Sequence, residues 1–313
     1  MSKQMRSNIL LLITAFIWGS AFVAQVKGVD YLSPYAFNGV RSIIGGIGLI
    51  PVIYFLDKRK AASPEEEKVD ISSPKGKKFL FIGGVCTGIA LFIGASFQQL
   101  GISAGTGSGK AGFITSLYIV IVPVLGIFLK KRVKPIIWFC VALGAVGLYM
   151  LSIKGNFTFE DGDFLVFICA FGYSMHILVV DYFSPRTDGV RMSMIQFFVC
   201  GILSLIANFI FTPEGFTLEN IWACIIPLLY TGVLSSGVGY TLQIVAQKDA
   251  EPAIASLLMS LESVFALISG MIILGETLSA RESIGCLMMF TAVILSQLPS
   301  KQALSNMIKR DKK

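Results

Sequence analysis

The stretch from Ala253 to Gly275 reads AIASLLMSLESVFALISGMIILG, and Glu262 is its one charged residue. A carboxylate in such an apolar segment has three kinds of work open to it. It can bond to another buried group, recognise an amine on a substrate, or carry a proton. A lone charge at the centre of a bilayer costs about 2.5–3.5 kcal/mol on insertion scales, so a partner or a water-lined cavity is expected. Arg41 is the strongly basic residue at comparable depth, seven residues into its own apolar block. A buried Glu262–Arg41 pair, a substrate-facing Glu262 and a proton-carrying Glu262 all fit the sequence.

The elements around Glu262 explain why its depth matters. Of the 313 residues, 54% are hydrophobic and 14% charged, against about 25% charged in a soluble domain. The apolar residues fall into ten blocks: 8–27, 34–56, 78–101, 108–129, 134–153, 162–181, 192–211, 219–245, 252–274 and 280–298. About twenty helical residues cross a hydrocarbon layer. The fold class expected is therefore an all-α integral membrane protein of ten transmembrane helices. Glu262 lies about 16 Å along the ninth, near the bilayer centre.

The net charge of +7 does not point to nucleic acid, because the basic residues sort by side. With the N-terminus in the cytoplasm, all but five fall in cytoplasmic segments: Lys27, Lys110, Lys154 and Arg281 lie outside and Arg41 within a span. This asymmetry places both termini and the 57–78 linker inside and predicts a multi-pass protein of the cell membrane. The first block is too long for the apolar core of a secretion signal.

The chain also repeats. A shift of 144 residues aligns Thr87-Gly88 with Thr231-Gly232, Gln99 with Gln243, Ser116-Leu117 with Ser260-Leu261, and Tyr118 with Glu262. A shift of 155 aligns Trp18 with Tyr173 and Gly46 with Gly201. Two five-helix repeats result, 1–153 and 154–298, followed by a basic cytoplasmic tail at 299–313. Five is odd, so the second repeat enters the membrane inverted. In secondary transporters such repeats hold the substrate near the midplane between them.

AFIWGSAFVAQ (15–25), Arg41, TSLYIVIVPVLG (115–126) and SLESVFALISGMIILGE (260–276), in that order, resemble the drug/metabolite transporter superfamily, and most closely its ten-helix EamA-type exporters. The resemblance runs from about residue 8 to 298. It implies movement of small metabolites, often amino acids and usually outward, through a cavity built by both halves. Two positions depart from the family pattern: Ser263 stands where Pro is common, and LKKR (129–132) where LGER is common.

The cavity candidates are Trp18, Arg41, Gln99, Tyr118, Tyr173, Gln243 and Glu262. Trp18 and Tyr173 lie about ten residues into their helices, too deep for interface anchors. Gln99 and Gln243, near opposite faces, suit alternating gates, with packing as the plainer role. His176, the one histidine, has no companion ligands in the sequence and is read as a packed, neutral imidazole. AGTGSGKAG (104–112) approaches a phosphate loop but lacks the first Gly and the final hydroxyl. It is read as a flexible loop leading into a helix. The six cysteines, one per helix, read as small apolar filler. Gly84 and Gly88 form a GxxxG pair for close packing, with a homodimer face as the second use.

The function expected is a secondary transporter of small organic solutes (amino acids, metabolites or drugs, moving outward) working by alternating access. Its partners are then a small-molecule substrate and membrane lipid, with proton coupling open and nucleic acid and cofactors absent. The alternative is an integral-membrane enzyme with a buried site. It lacks HExxH, a nucleophile–His pair and paired intramembrane carboxylates.

Overall fold

A computed structural model describes residues 2–62, 71–131, 133–153, 159–212, 216–274 and 279–297. The triplet NFT at 156–158, which fits the acceptor pattern for N-glycosylation, the acidic run Glu65-Glu66-Glu67 of the 57–78 linker and the basic tail at 299–313 lie outside the described residues. Helices α1 (Lys3–Gly28), α2 (Pro34–Ala62) and α3 (Pro74–Ser103) are followed by two half-helices, α4 (Ser108–Thr115) and α5 (Tyr118–Phe128). Next come α6 (Pro135–Ser152), α7 (Asp161–Phe183) and α8 (Gly189–Phe211). The eighth apolar block is segmented into α9 (Leu218–Ala223), α10 (Ile225–Leu229), a π-helix (Tyr230–Tyr240) and α11 (Thr241–Gln247). The chain closes with the half-helices α12 (Pro252–Met259) and α13 (Glu262–Leu274), then α14 (Ala280–Ser296).

Among the described residues all ten apolar blocks form helix, and nine are long and apolar enough to cross a membrane; the tenth, α14, has 17 residues. Phe209, Ile272, Phe128 and Ile226 are each more than three-quarters exposed. Water would not tolerate such a coat, and lipid does. The protein is an all-helical, multi-pass membrane protein. The ends of the 57–78 linker are helical: α2 runs on to Ala62 and α3 begins at Pro74. Lys, Arg and Ala in DKRKAA are good helix formers and need no apolar neighbours to continue a helix.

Helix starts follow local chemistry. Proline opens α2, α3, α6 and α12, where its missing N–H costs nothing. Ser73 caps α3 by accepting from the Gly76 N–H at 3.1 Å. Reciprocal capping boxes start α7 (Glu160 with Asp163) and α14 (Ser279 with Glu282).

The packing respects the twofold pattern of the sequence. Exchanging the first five spans with the last five maps α2 against α8 onto itself, and likewise α6 against α14. It maps α3 on α7 onto the segmented eighth span on α1, and α1 on the ninth span onto α7 on the fourth. Glycines permit the closest of these crossings. A Cβ on Gly285 would lie 2.6 Å from the Gly147 carbonyl oxygen, and one on Gly172 2.6 Å from the Gly94 nitrogen. Gly84 and Gly88 face Ile195 and Val199 of α8, so the GxxxG pair serves packing within the chain. Gly285→Val should force α6 and α14 apart at a cost of about 1–3 kcal/mol. A lowered thermal midpoint of the purified protein would register it. Gly48→Ala, where a Cβ meets nothing within 4 Å, should leave the midpoint unchanged.

Candidate functional site: a cavity between the halves

The fourth and ninth spans break at the same place in the repeat. After Ser116 and after Ser260 the α-helical bonding gives way to three-residue steps. The Leu117 N–H donates to the Ile114 carbonyl (3.2 Å) and that of Ile119 to Ser116 (3.0 Å). In the second half Leu261 donates to Leu258 (3.3 Å) and Ser263 to Ser260 (3.2 Å). Each break restarts a half-helix, and the first residues of the two are Tyr118 and Glu262. Ser263, which stands where the family commonly has Pro, supplies an N–H that proline lacks, and its Oγ lies 3.1 Å from Ser116 Oγ.

The two repeat-related residues meet. The Tyr118 hydroxyl donates to Glu262 Oε1 at 3.0 Å, and the Ser116 hydroxyl donates to the same oxygen at 3.1 Å. Glu262 is 4% exposed. Its donors are neutral, and the first turn of α13 presents the positive end of a helix dipole to it. Helix α1 approaches closely here: a Cβ on Gly19 would collide with the Glu262 carbonyl oxygen.

Around this contact lies a cavity lined by Trp18, Phe22, Gln25, Arg41, Gln98, Thr115 and Tyr118 from the first half. The second half contributes Tyr173, His176, Ile177, Ser235, Tyr240, Gln243 and Glu262. Trp18 with Tyr173 and Phe22 with Ile177 are both related by the 155-residue shift. Trp18 Nε1 donates to the Ser235 carbonyl at 3.2 Å, and its ring packs 4.5 Å from that of Tyr240. Gly239 leaves room for the indole, since a Cβ there would sit 2.7 Å from Trp18 Nε1. The Tyr173 hydroxyl donates to Gln98 Oε1 at 3.3 Å, and the Gln98 amide donates to Thr115 Oγ1 at 3.0 Å. His176 Nε2–H donates to Gln196 Oε1 at 3.0 Å. Its ring stands edge-on to Tyr240, so it is packed and also part of the wall.

Arg41 does not pair with Glu262. Its Nε donates to Asn38 Oδ1 (3.2 Å), its Nη1 donates to Gln25 Oε1 (3.3 Å), and its guanidinium lies 5.8 Å from the centre of the Phe37 ring. Asn38 in turn donates to Ser204 Oγ on α8 at 2.8 Å, which ties the guanidinium to the other half. The wall therefore holds one buried acidic and one buried basic side chain, each hydrogen-bonded to neutral groups.

Six of the seven sequence candidates line the cavity; Gln99 does not. It is fully buried behind the wall, its amide donating to the Gln25 carbonyl at 3.1 Å, and its neighbour Gln98 takes the place on the wall. One residue is about 100° of helix turn, enough to move a side chain from cavity to packing. Gln243 is on the wall. Its amide donates to Gln247 Oε1 (2.9 Å), and its own Oε1 has no hydrogen-bond partner among the described residues. The sequence reading passed over Ser235 and Tyr240. Tyr240 stands three residues before Gln243, on the same helical face, and that spacing could have found it. Ser235, deeper in the π-helix, left no such sign. Over 104–112, α4 starts at Ser108 with Gly107 as its N-cap, preceded by Gly105 at φ +99°.

The sequence profile of the EamA-like transporter family matches residues 5–153 and again 161–298. An uncharacterized transporter of Archaeoglobus fulgidus is 30% identical over 303 residues, covering 95% of this chain and 87% of that protein. The uncharacterized transporter YwfM of Bacillus subtilis is 26% identical, covering 94% of this chain and 95% of that one. A solved crystal structure at 16% identity has the same fold, with a TM-score of 0.71 over 93% of this chain and 96% of the other. Two tandem family matches, a bundle of membrane helices and a shared central cavity converge on one assignment: the chain belongs to the EamA-like transporter family and is a membrane transporter.

Proposed function

We propose that the protein moves small zwitterionic organic solutes of the amino-acid type across the cytoplasmic membrane by alternating access. The halves 1–153 and 154–298 rock about the cavity, and both termini lie in the cytoplasm. Export is the direction implied by the family resemblance. One observation carries the substrate class: Arg41 and Glu262 line one cavity and are each 4% exposed, without pairing with each other. Two separated opposite charges in a low-dielectric wall are best neutralised by a ligand bearing the complementary pair. An ammonium group would suit Glu262 and Gln243 Oε1, which has no hydrogen-bond partner among the described residues, and a carboxylate would suit Arg41. Trp18, Phe22, Tyr173 and Tyr240 supply the apolar and aromatic surface for the side chain, with cation–π attraction as an added pull on the ammonium.

The test is uptake and efflux in proteoliposomes, with and without a pH gradient, using radiolabelled leucine, leucine amide, N-acetyl-leucine and a lipophilic cationic drug. Leucine should move at least about tenfold faster than either singly charged relative, corresponding to about 1.4 kcal/mol or more. Movement of the drug alone, or of none of the four, would overturn the substrate class. A change of rate with the gradient that disappears in Glu262→Gln would assign proton carriage to the same carboxylate.

Glu262→Gln keeps the shape and an acceptor for Tyr118 and Ser116, so abundance should hold while leucine transport falls tenfold or more. Arg41→Gln should narrow the preference for leucine over leucine amide while sparing the amide itself. Wild-type transport by Glu262→Gln at normal abundance across the pH range would remove Glu262 from the mechanism.

A further inference from the structure

The two ends of the bundle close by the same repeat-related contact, built from different chemistry. At one end Gly162 and Asp163, which open α7, press on the segment 101–106 that ends α3. At the other, Ser7 and Asn8 near the start of α1 press on the end of α11 and on α14. The 155-residue shift relates Ser7 to Gly162 and Asn8 to Asp163. It also relates Trp18 to Tyr173, so each contact lies ten residues, about 15 Å, along its helix from the cavity.

At the N-terminal end the aligned residues make neutral hydrogen bonds among the described residues. The Ser7 hydroxyl donates to the Ala246 carbonyl, and the Asn8 amide donates to Gln297 Oε1 at 2.7 Å. At the opposite end Asp163 is 0% exposed and forms an ion pair with Lys110 at 2.5 Å. It also accepts from Thr106 Oγ1 at 3.1 Å and from the Glu160 N–H at 2.8 Å. Lys110 and Thr106 belong to the first half, Asp163 to the second. Small residues seat the joint: a Cβ on Gly162 would lie 2.6 Å from Thr106 Oγ1, and one on Gly101 2.6 Å from the Gly162 carbonyl oxygen.

The geometry points to Asp163 as an ionic clasp that holds the halves together at the end bearing the 104–107 loop. Solute can reach the cavity from that side only after Asp163 parts from Lys110 and Thr106. The repeat-equivalent joint at the other end parts without separating an ion pair at Asn8. The end at which α1 starts has ion pairs of its own between the halves, Lys131–Asp181, Lys134–Glu251 and Arg191–Asp57, but their carboxylates are partly exposed while Asp163 is fully buried. Exposed pairs hold weakly, so the buried charge of the clasp sets how readily the carrier opens toward its side. This inference rests on the proposed motion of one half against the other.

The experiment is hydrogen–deuterium exchange on the full-length protein in lipid nanodiscs, which requires no substrate. Asp163→Asn should speed exchange in 101–115 and 159–170 by about fivefold or more, and leave 3–15 and 241–250 unchanged or slower. Lys110→Gln, which attacks the clasp from the other half, should repeat the pattern. Equal acceleration at both ends would mean loss of stability alone and would overturn the clasp, as would unchanged exchange in both variants. If Asp163→Asn fails to accumulate, Lys110→Gln decides by the same pattern. Failure of leucine transport with the predicted exchange pattern would count against the substrate class and leave the clasp standing.

Discussion

The bond from Tyr118 to Glu262 joins the two halves at the point where both of their broken spans restart. A carboxylate in an apolar bundle must be given donors, and here they are hydroxyls from the other half. That requirement shapes what surrounds it. The fourth and ninth spans unwind for one turn so that Tyr118, Ser116, Glu262 and Ser263 can converge, and Gly19 lets α1 close over the Glu262 backbone. Continuous α-helices through Ser116 and Ser260 would leave Tyr118 and Glu262 without the half-helix starts that aim them at each other.

Holding Arg41 away from Glu262 is as consequential as placing Glu262. Asn38 and Gln25 occupy the guanidinium, and Asn38 is itself anchored to Ser204 on α8. A direct pair would satisfy both charges and leave the cavity little electrostatic demand for a ligand. Neutral partners solvate each charge only in part, which suits the proposed role of this wall in binding and releasing a solute. The segmented eighth span contributes in another way. Its π-helix is rich in Gly and Ser, so α2 packs tightly at Gly45 against Gly232, and Gly239 admits the Trp18 indole. A wider helical turn beside a site is a recurrent way of presenting backbone and side chains to a ligand, and here Ser235 and Tyr240 are presented.

Closure at the bundle ends uses the same pseudo-symmetry with different residues. Duplication supplies two equivalent joints, and differences at aligned positions, Asn8 against Asp163 and Ile254 against Lys110, make one joint neutral and the other ionic. Two identical halves would close both ends by the same contact.

The sequence determined the membrane class, the ten helical blocks and the repeat, because apolar block length is a local and additive signal and each of the two registers holds over several positions. It also singled out Glu262 and Arg41, since charge within oil is conspicuous on the page. It left their relation open, and only the packed structure decided it: Glu262 takes hydroxyls, and Arg41 takes Asn38 and Gln25. The 144-residue shift aligned Tyr118 with Glu262, but alignment relates positions and says nothing of contact. The choice of Gln98 over Gln99 for the wall turned on about 100° of helix rotation, which three-dimensional packing fixes. The breaks at Ser116 and Ser260 carry no proline or glycine at the break itself. They arise because the tertiary arrangement rewards convergence of the half-helix starts more than it penalises the lost α-helical bonds.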